Sequence, residues 1–135
     1  MRRTKVFVVD DEVIILMSLR SMLEEVGCDV SGTATSLEEG MRLAGTVEAD
    51  LAIVDLSLAG RSALPIIEVL ARRTIPVIAS SGYDLAGMDG VAVHGKLQKP
   101  YSLIQLEAAV KAALDKTALD GAAVPPPVVP PAGGC

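Results

Sequence analysis

Two adjacent aspartates, Asp10 and Asp11, end the first apolar run of the chain, and a third, Asp55, ends a later run. Each run is typical of a short buried β-strand, so each carboxylate stands at the C-terminal end of a strand. In an open parallel sheet, this is the edge where ligands bind. Three carboxylates gathered there cannot all stay ionised side by side without a counter-charge. Because hard oxygen ligands suit Mg²⁺, the sequence predicts a magnesium site at this edge.

Two further polar groups end predicted strands. Ser80-Ser81-Gly82 follows the fourth strand, and Lys99-Pro100 follows the fifth. Taken singly, a Ser-Ser-Gly run is commonly a turn, and a lone lysine is commonly a solvated charge. Together with the aspartates, they place polar groups at the ends of four buried strands on one edge. These residue types support phosphoryl transfer: one carboxylate attacks the phosphoryl group, while a metal, a lysine and a hydroxyl hold its oxygens.

The elements that must position these residues follow from the hydrophobic pattern. Short apolar runs alternate with helical patterns five times, which predicts a parallel α/β sheet. Gly27 ends the first helix, Ser36 and Glu39 form a capping box for the second, Pro65 lies in the first turn of the third, and Ser102 caps the last. The strands are predicted at 5–10, 28–33, 50–55, 75–80 and 93–98.

Two segments depart from this regular alternation. The fourth connection, 83–90, carries two glycines, which predicts a short or irregular fourth helix. After about Thr117 the sequence is rich in alanine, proline and glycine, and proline clusters prevent packing as helix or sheet. We therefore expect one folded domain over residues 1–117 and a disordered tail over 118–135.

Composition limits the partners. The chain has 135 residues, half of them hydrophobic, which is enough for one domain with a real core. Its net charge of -5 argues against a nucleic-acid partner.

The N-terminus does not resemble a signal peptide, and no segment approaches the roughly 18 apolar residues of a membrane span, which predicts a soluble cytoplasmic protein. Cys28 is expected to be a small core residue, and a disulfide with Cys135 is not expected in a reducing compartment.

The set of polar residues, in this order and spacing, resembles the receiver domain of two-component response regulators. The resemblance covers about residues 4–116, and its motifs are Asp10-Asp11, Ile53-Val54-Asp55-Leu56, the strand from Pro76 to Gly82, and Lys99-Pro100-Tyr101. It implies a flavodoxin-like (βα)5 fold, doubly wound, with a parallel five-stranded sheet of order 2-1-3-4-5.

The resemblance also implies a role for each site residue. Asp55 matches the phospho-acceptor, Ser81 the hydroxyl that moves to the phosphoryl group, and Lys99 the phosphate-binding lysine before a cis proline. Ser80 has the wrong parity for this role, because adjacent strand residues point to opposite faces. The implied Mg²⁺ ligands are Asp11, Asp55 and the backbone carbonyl of Ser57, with Asp10 acting directly or through water.

Several positions depart from the family pattern. Lys96 stands where the family usually has an aromatic residue that rotates inward, so the familiar switch cannot operate as such. Tyr83 is an alternative sensor, although an exposed loop tyrosine is the simpler interpretation. Ser81-Gly82-Tyr83 resembles the Thr-Gly-Tyr-type motif of stand-alone receivers from alphaproteobacteria. His94 lacks the helical context of a phosphorelay histidine and is expected to be structural or exposed.

The resemblance implies a single-domain response regulator that accepts a phosphoryl group from a sensor histidine kinase or a histidine phosphotransfer protein. It would signal by contact with an unknown protein target and catalyse only its own phosphorylation and dephosphorylation. Two alternatives stay open. A Mg²⁺-dependent phosphohydrolase of the haloacid dehalogenase type would want two aspartates separated by one residue, whereas Asp10 and Asp11 are adjacent. A degenerate receiver, used only as an interaction module, is favoured by Lys96 but opposed by the complete acceptor site.

Overall fold

The computed structural model of the protein describes residues 3–82 and 93–123, with residues 116–123 described by their backbone alone. From residue 4 to residue 81 the sheet strands and helices alternate, and one small hairpin interrupts them after the third strand. The elements are β1 (Thr4–Val9), α1 (Val13–Glu25), β2 (Cys28–Ala34), α2 (Leu37–Ala44), β3 (Leu51–Asp55), β4 (Ser57–Leu58), β5 (Arg61–Ser62), α3 (Leu64–Arg72), β6 (Val77–Ser81), β7 (Gly95–Gln98) and α4 (Leu103–Ala123).

Five strands form one parallel sheet in the order β2-β1-β3-β6-β7. Numbered along the chain, this is the predicted 2-1-3-4-5 order of a flavodoxin-like fold. The inner strands read as continuous apolar runs because both sheet faces are covered. Phe7 packs with α2 and α3 on one face, while Val8 packs with α1 and α4 on the other. Two apolar layers therefore hold the sheet rigid beneath its C-terminal edge.

The predicted helix starts are confirmed by their hydrogen bonds. At α2, the hydroxyl of Ser36 accepts from the backbone N–H of Glu39, at 3.1 Å. The Glu39 carboxylate reaches back one residue further than expected, to the N–H of Thr35. At α4, Ser102 and Gln105 exchange both bonds of a capping box. These caps satisfy N–H groups that a helix start leaves unpaired.

Other predictions about single residues hold as well. Pro65 lies in the first turn of α3, and Gly27 follows α1 with a φ of 91°, a conformation that favours glycine. Cys28 is buried in the core, where burial raises the pKa of its thiol. None of the helices in the described ranges is long and apolar enough to cross a membrane.

The structure corrects the predicted C-terminal boundary. α4 continues to Ala123, so residues 118–123, which were expected to begin a disordered tail, are helical. Alanine and leucine are strong helix formers, and here they outweigh the nearby Gly121. Residues 124–135, with Cys135, lie outside the described residues. So does the fourth connection with Tyr83, and its predicted short helix stays a prediction.

Candidate functional site

Strand pairing brings the three aspartates together. Val9 of β1 pairs with Val54 of β3, so the residues that follow each strand emerge side by side. Ligand oxygens of Asp10, Asp11 and Asp55 all lie within 4.8 Å of one another. The sequence predicted this gathering from the ends of two apolar runs. Its physical basis is that parallel strands present their C-terminal ends at one sheet edge.

Lys99 joins this group from the end of β7. Its backbone N–H donates to the carbonyl of Ser81 at 2.8 Å, and its bond to Pro100 is cis, as expected. The ammonium group lies 2.9 Å from Asp10 Oδ2 and 3.0 Å from Asp55 Oδ2. The Lys99 side chain is only 13% exposed, so one cation pairs with two carboxylates in a place that water screens poorly.

Burial and hydrogen bonding have opposite effects on the pKa values of Asp55 and Lys99. Burial raises the pKa of Asp55, and it outweighs the hydrogen bonds from Lys99 and from the backbone N–H of Ser57, which act to lower it. Burial alone would lower the pKa of Lys99, but its hydrogen bonds to Asp10 and Asp55 overcome this and raise the pKa. Lys99 therefore stays charged here, whereas ionisation of Asp55 in the folded protein costs free energy because the carboxylate is partly removed from water.

The two adjacent aspartates have different surroundings. Asp10 is 1% exposed; its Oδ1 accepts from the backbone N–H of Glu12, and its Oδ2 faces Lys99. Asp11 is half-buried, and its Oδ2 accepts from the backbone N–H of Ala59 at 2.9 Å. Asp10 thus lies beneath the site as a partner of Lys99, while Asp11 opens towards solvent.

A cleft of about 390 Å³ lies above these groups. Ser81 contributes to its wall, and Ser80 does not. Within the described part of the chain, the Ser80 hydroxyl is buried without a hydrogen-bond partner. Ser81 therefore lies on the cleft side of the strand, as the parity argument predicted, and its role in phosphoryl transfer stays a prediction. The lining residues are Asp11, Glu12, Asp55, Ser57, Ser81, Gly82 and Lys99.

The sequence did not single out every group at the site. Glu12 lines the cleft and lies 3.7 Å from the Lys99 ammonium; its position directly after the acidic pair was the available signal. The backbone amide of Ala59 donates to Asp11, but residue types in the sequence cannot indicate a backbone contact of this kind. Tyr101 has a buried hydroxyl, and burial, with the charge of Asp10 next in size, raises its pKa to about 12.

Two residues noted for departing from the family pattern lie away from the cleft lining. Lys96 is exposed on β7, where the buried Leu97 points to the opposite face. An inward-turning aromatic residue is thus absent from that position. His94 is half-buried, and its backbone N–H donates to the carbonyl of Val77 at 2.7 Å, which continues the β6–β7 ladder. This contact involves only the backbone of His94, so the expected structural or exposed role of its side chain stays a prediction.

The carboxylates fit a divalent cation. Their oxygens are hard ligands, they lie within 4.8 Å of one another, and Asp11 and Asp55 open into the cleft. Asp10 is less accessible, because Lys99 and the N–H of Glu12 already bind its two oxygens. A small oxygen-seeking ion such as Mg²⁺ is the type of metal that this donor set favours.

Comparison with known proteins finds relatives among both sequences and solved structures. The transcriptional regulatory protein PdtaR of Mycobacterium tuberculosis is 28% identical over 126 residues, covering 87% of this chain; the chain spans 62% of that relative's length. The receiver domain of a modulated diguanylate cyclase from Desulfovibrio desulfuricans superposes with a TM-score of 0.78 at 27% identity, covering 88% of this chain and 99% of that one.

The response regulator PhyR from Brucella abortus superposes with a TM-score of 0.81 at 25% identity, covering 91% of this chain and 52% of PhyR. The two solved structures share the overall fold of this chain. The family model for the response regulator receiver domain matches residues 6–111, which include all the strands of the sheet beyond the first residues of β1. The chain therefore belongs to the response regulator receiver domain family.

Proposed function

We propose that this receiver domain accepts a phosphoryl group on Asp55 and signals through the change in its surface that follows. One observation carries the proposal. The Asp55 carboxylate, at the C-terminal end of β3, opens into a cleft that also holds Asp11, Ser81 and the ammonium of Lys99. A nucleophile, a cation and a hydroxyl thus share one cavity, which is what phosphoryl transfer needs.

The proposed step uses both oxygens of Asp55. The backbone N–H of Ser57 holds Oδ1 at 3.2 Å, and Lys99 holds Oδ2 at 3.0 Å, so the carboxylate is oriented before the donor arrives. One oxygen attacks phosphorus, and the bond from phosphorus to the histidine nitrogen of the donor breaks. The nitrogen keeps the electron pair, and Asp55 becomes an acyl phosphate. Attack by water later releases phosphate and restores the carboxylate.

Mg²⁺ is part of the proposal. Asp11, Asp55 and the backbone carbonyl of Ser57 would hold the ion, with Asp10 contributing directly or through water. The spacing of the carboxylate oxygens supports this assignment. When bound, the ion would neutralise charge on the phosphoryl oxygens. Lys99 would then pair with one of these oxygens, and the Ser81 hydroxyl would hold another.

The donor is proposed to be a sensor histidine kinase or a histidine phosphotransfer protein. Beside the cleft, the first turns of α1 expose three large apolar side chains: Val13 is 58% exposed, Ile14 82% and Met17 64%. Clustered exposed apolar residues mark contact surfaces for proteins. The net charge of -5 favours protein partners over nucleic acid, and the downstream target is proposed to be a protein in the cytoplasm.

Incubation with acetyl phosphate and Mg²⁺, followed by intact-mass measurement, tests the proposal. The wild type should gain one phosphoryl group that survives acid and is lost in base. Asp55→Asn keeps the size and removes the nucleophile, so it should gain none. An unmodified wild type, or a modified Asp55→Asn, would contradict the assignment. Sustained turnover of small phosphate esters would instead identify a phosphohydrolase, an activity beyond self-phosphorylation that we do not expect.

A further inference from the structure

The β4–β5 hairpin, Ser57–Ser62, presents its backbone to two of the site carboxylates. The N–H of Ser57 donates to Asp55 Oδ1 at 3.2 Å, and the N–H of Ala59 donates to Asp11 Oδ2 at 2.9 Å. The second contact joins residues 48 apart in sequence. An amide bonded to a carboxylate fixes the direction of its oxygens, so the hairpin determines how Asp11 faces the cleft.

The turn of this hairpin has an uncommon backbone. Ala59 has a φ of 53° and Gly60 a φ of 83°, the two consecutive positive values of a tight primed turn. Glycine adopts this conformation freely, but alanine does so at a cost. Such a residue persists only where its surroundings hold it in place. Here it is this conformation that aims the Ala59 amide at Asp11.

Two side chains of the hairpin hold it against the rest of the domain. Leu58 is 1% exposed and packs in the core between the sheet, α2 and α3. On the outside, the guanidinium of Arg61 forms an ion pair with Glu38 in the first turn of α2. The hydrogen bond from Arg61 within this ion pair is the main cause of the lowered pKa of Glu38. Arg61 does not line the cleft.

We propose that the hairpin is a positioning element for metal binding, in which the Glu38–Arg61 pair holds the Ala59 amide against Asp11. The inference rests on the magnesium site of the proposed function. It assigns Glu38 and Arg61 a role in metal affinity, although neither touches the carboxylates. A partner that binds the start of α2 and breaks this pair would therefore weaken the metal site from outside the cleft.

The charge of Arg61 makes the test unusually sharp. Removing a cation near an acidic site should strengthen Mg²⁺ binding by simple electrostatics. Loss of positioning should weaken it. We expect Arg61→Gln to weaken Mg²⁺ binding about two- to fivefold, the range that an exposed ion pair can supply. Arg61→Lys keeps a positive charge beside Glu38, so this variant should retain most of the wild-type Mg²⁺ affinity.

Titration calorimetry with MgCl₂ alone, on the full chain, gives the dissociation constants. Glu38→Gln should weaken binding to a similar degree, and the double variant should be no weaker than either single one, because each removes the same contact. Arg3→Gln is the matched control: it breaks the exposed Arg3–Asp29 pair and changes net charge equally. In NMR spectra, the Ala59 amide proton should exchange with solvent faster in Arg61→Gln than in the wild type.

Unchanged or tighter Mg²⁺ binding by Arg61→Gln would overturn the inference. So would an equal change in affinity in Arg61→Gln and Arg3→Gln, because the effect would then not depend on the Glu38–Arg61 pair. A wild type that binds no Mg²⁺ would overturn both this inference and the metal part of the proposed function. A wild type that binds Mg²⁺ but takes up no phosphoryl group would overturn the proposed function alone.

Discussion

Lys99 and Asp55, 44 residues apart in the chain, meet as an ion pair with 3.0 Å between the ammonium nitrogen and Oδ2. The same ammonium lies 2.9 Å from Asp10. Lys99 is thus the internal counter-charge of a buried acidic site. The edge of the sheet can hold several carboxylates because this one cation is built in among them.

Lys99→Met should destabilise the fold, because it leaves Asp10 and Asp55 without a counter-charge. Removing one partner of a buried pair costs about 3–5 kcal/mol, and we expect about 3 kcal/mol in urea unfolding at pH 7 without divalent ions. The raised pKa of Lys99 means that its contribution is present throughout the neutral range and lost only as pH rises through that pKa. Lys96→Met, at an exposed position on β7, is the control and should stay within about 0.5 kcal/mol. Equal losses in the two variants would contradict the prediction.

Asp55→Asn should be more stable than the wild type at pH 7 when Mg²⁺ is absent. The pKa of Asp55 is raised in the fold, so the wild type loses stability as pH rises through that value and regains it when the carboxyl is protonated. We expect a melting temperature about 3 °C higher for Asp55→Asn at pH 7, with the difference shrinking towards pH 4. A constant difference across this pH range would show that ionisation of Asp55 is not its cause.

Ser80→Ala and Ser81→Ala should separate stability from chemistry. The buried hydroxyl of Ser80 has no hydrogen-bond partner in the described ranges, so its removal should raise stability by about 1 kcal/mol and leave phosphoryl uptake unchanged. Ser81 lines the cleft, and its removal should slow uptake from acetyl phosphate about fivefold, the value of one lost hydrogen bond. Chemical unfolding and intact-mass time courses measure the two effects. Slower uptake in Ser80→Ala would contradict the assignment.

Met17→Gln should impair transfer from a protein donor more than uptake from acetyl phosphate. Met17 belongs to the exposed apolar face of α1 beside the cleft, which a small donor does not need. We expect the ratio of the two rates to fall about fivefold. Met41→Gln on α2, where Met41 is 38% exposed, is the matched control and should leave the ratio unchanged. A phosphorylated histidine kinase that labels the wild type serves as donor, and equal ratios in both variants would exclude this face as its docking surface.

The sequence predicted the sheet and the gathering of the site because both depend on strong periodic signals. Apolar runs marked the strands, and polar residues at their ends marked the cleft. The hairpin escaped prediction because its strands are too short for a pattern and its first turn residue, Ala59, is not a typical residue for a positive φ. The distinct surroundings of Asp10 and Asp11 depend on contacts distant in sequence, which adjacent identical residues could not reveal.

The length of α4 has a mechanical consequence. Its 21 residues make a rod about 31 Å long, whereas a five-residue strand spans only about 17 Å. The helix starts four residues after Lys99 and packs against β3, β6 and β7, so it is about 14 Å longer than a strand it lies on. A tilt of about 6° at the near end would swing the far end by roughly 3 Å. Geometry alone would therefore convert a small change of angle near Lys99 into a larger displacement at the far end of the helix.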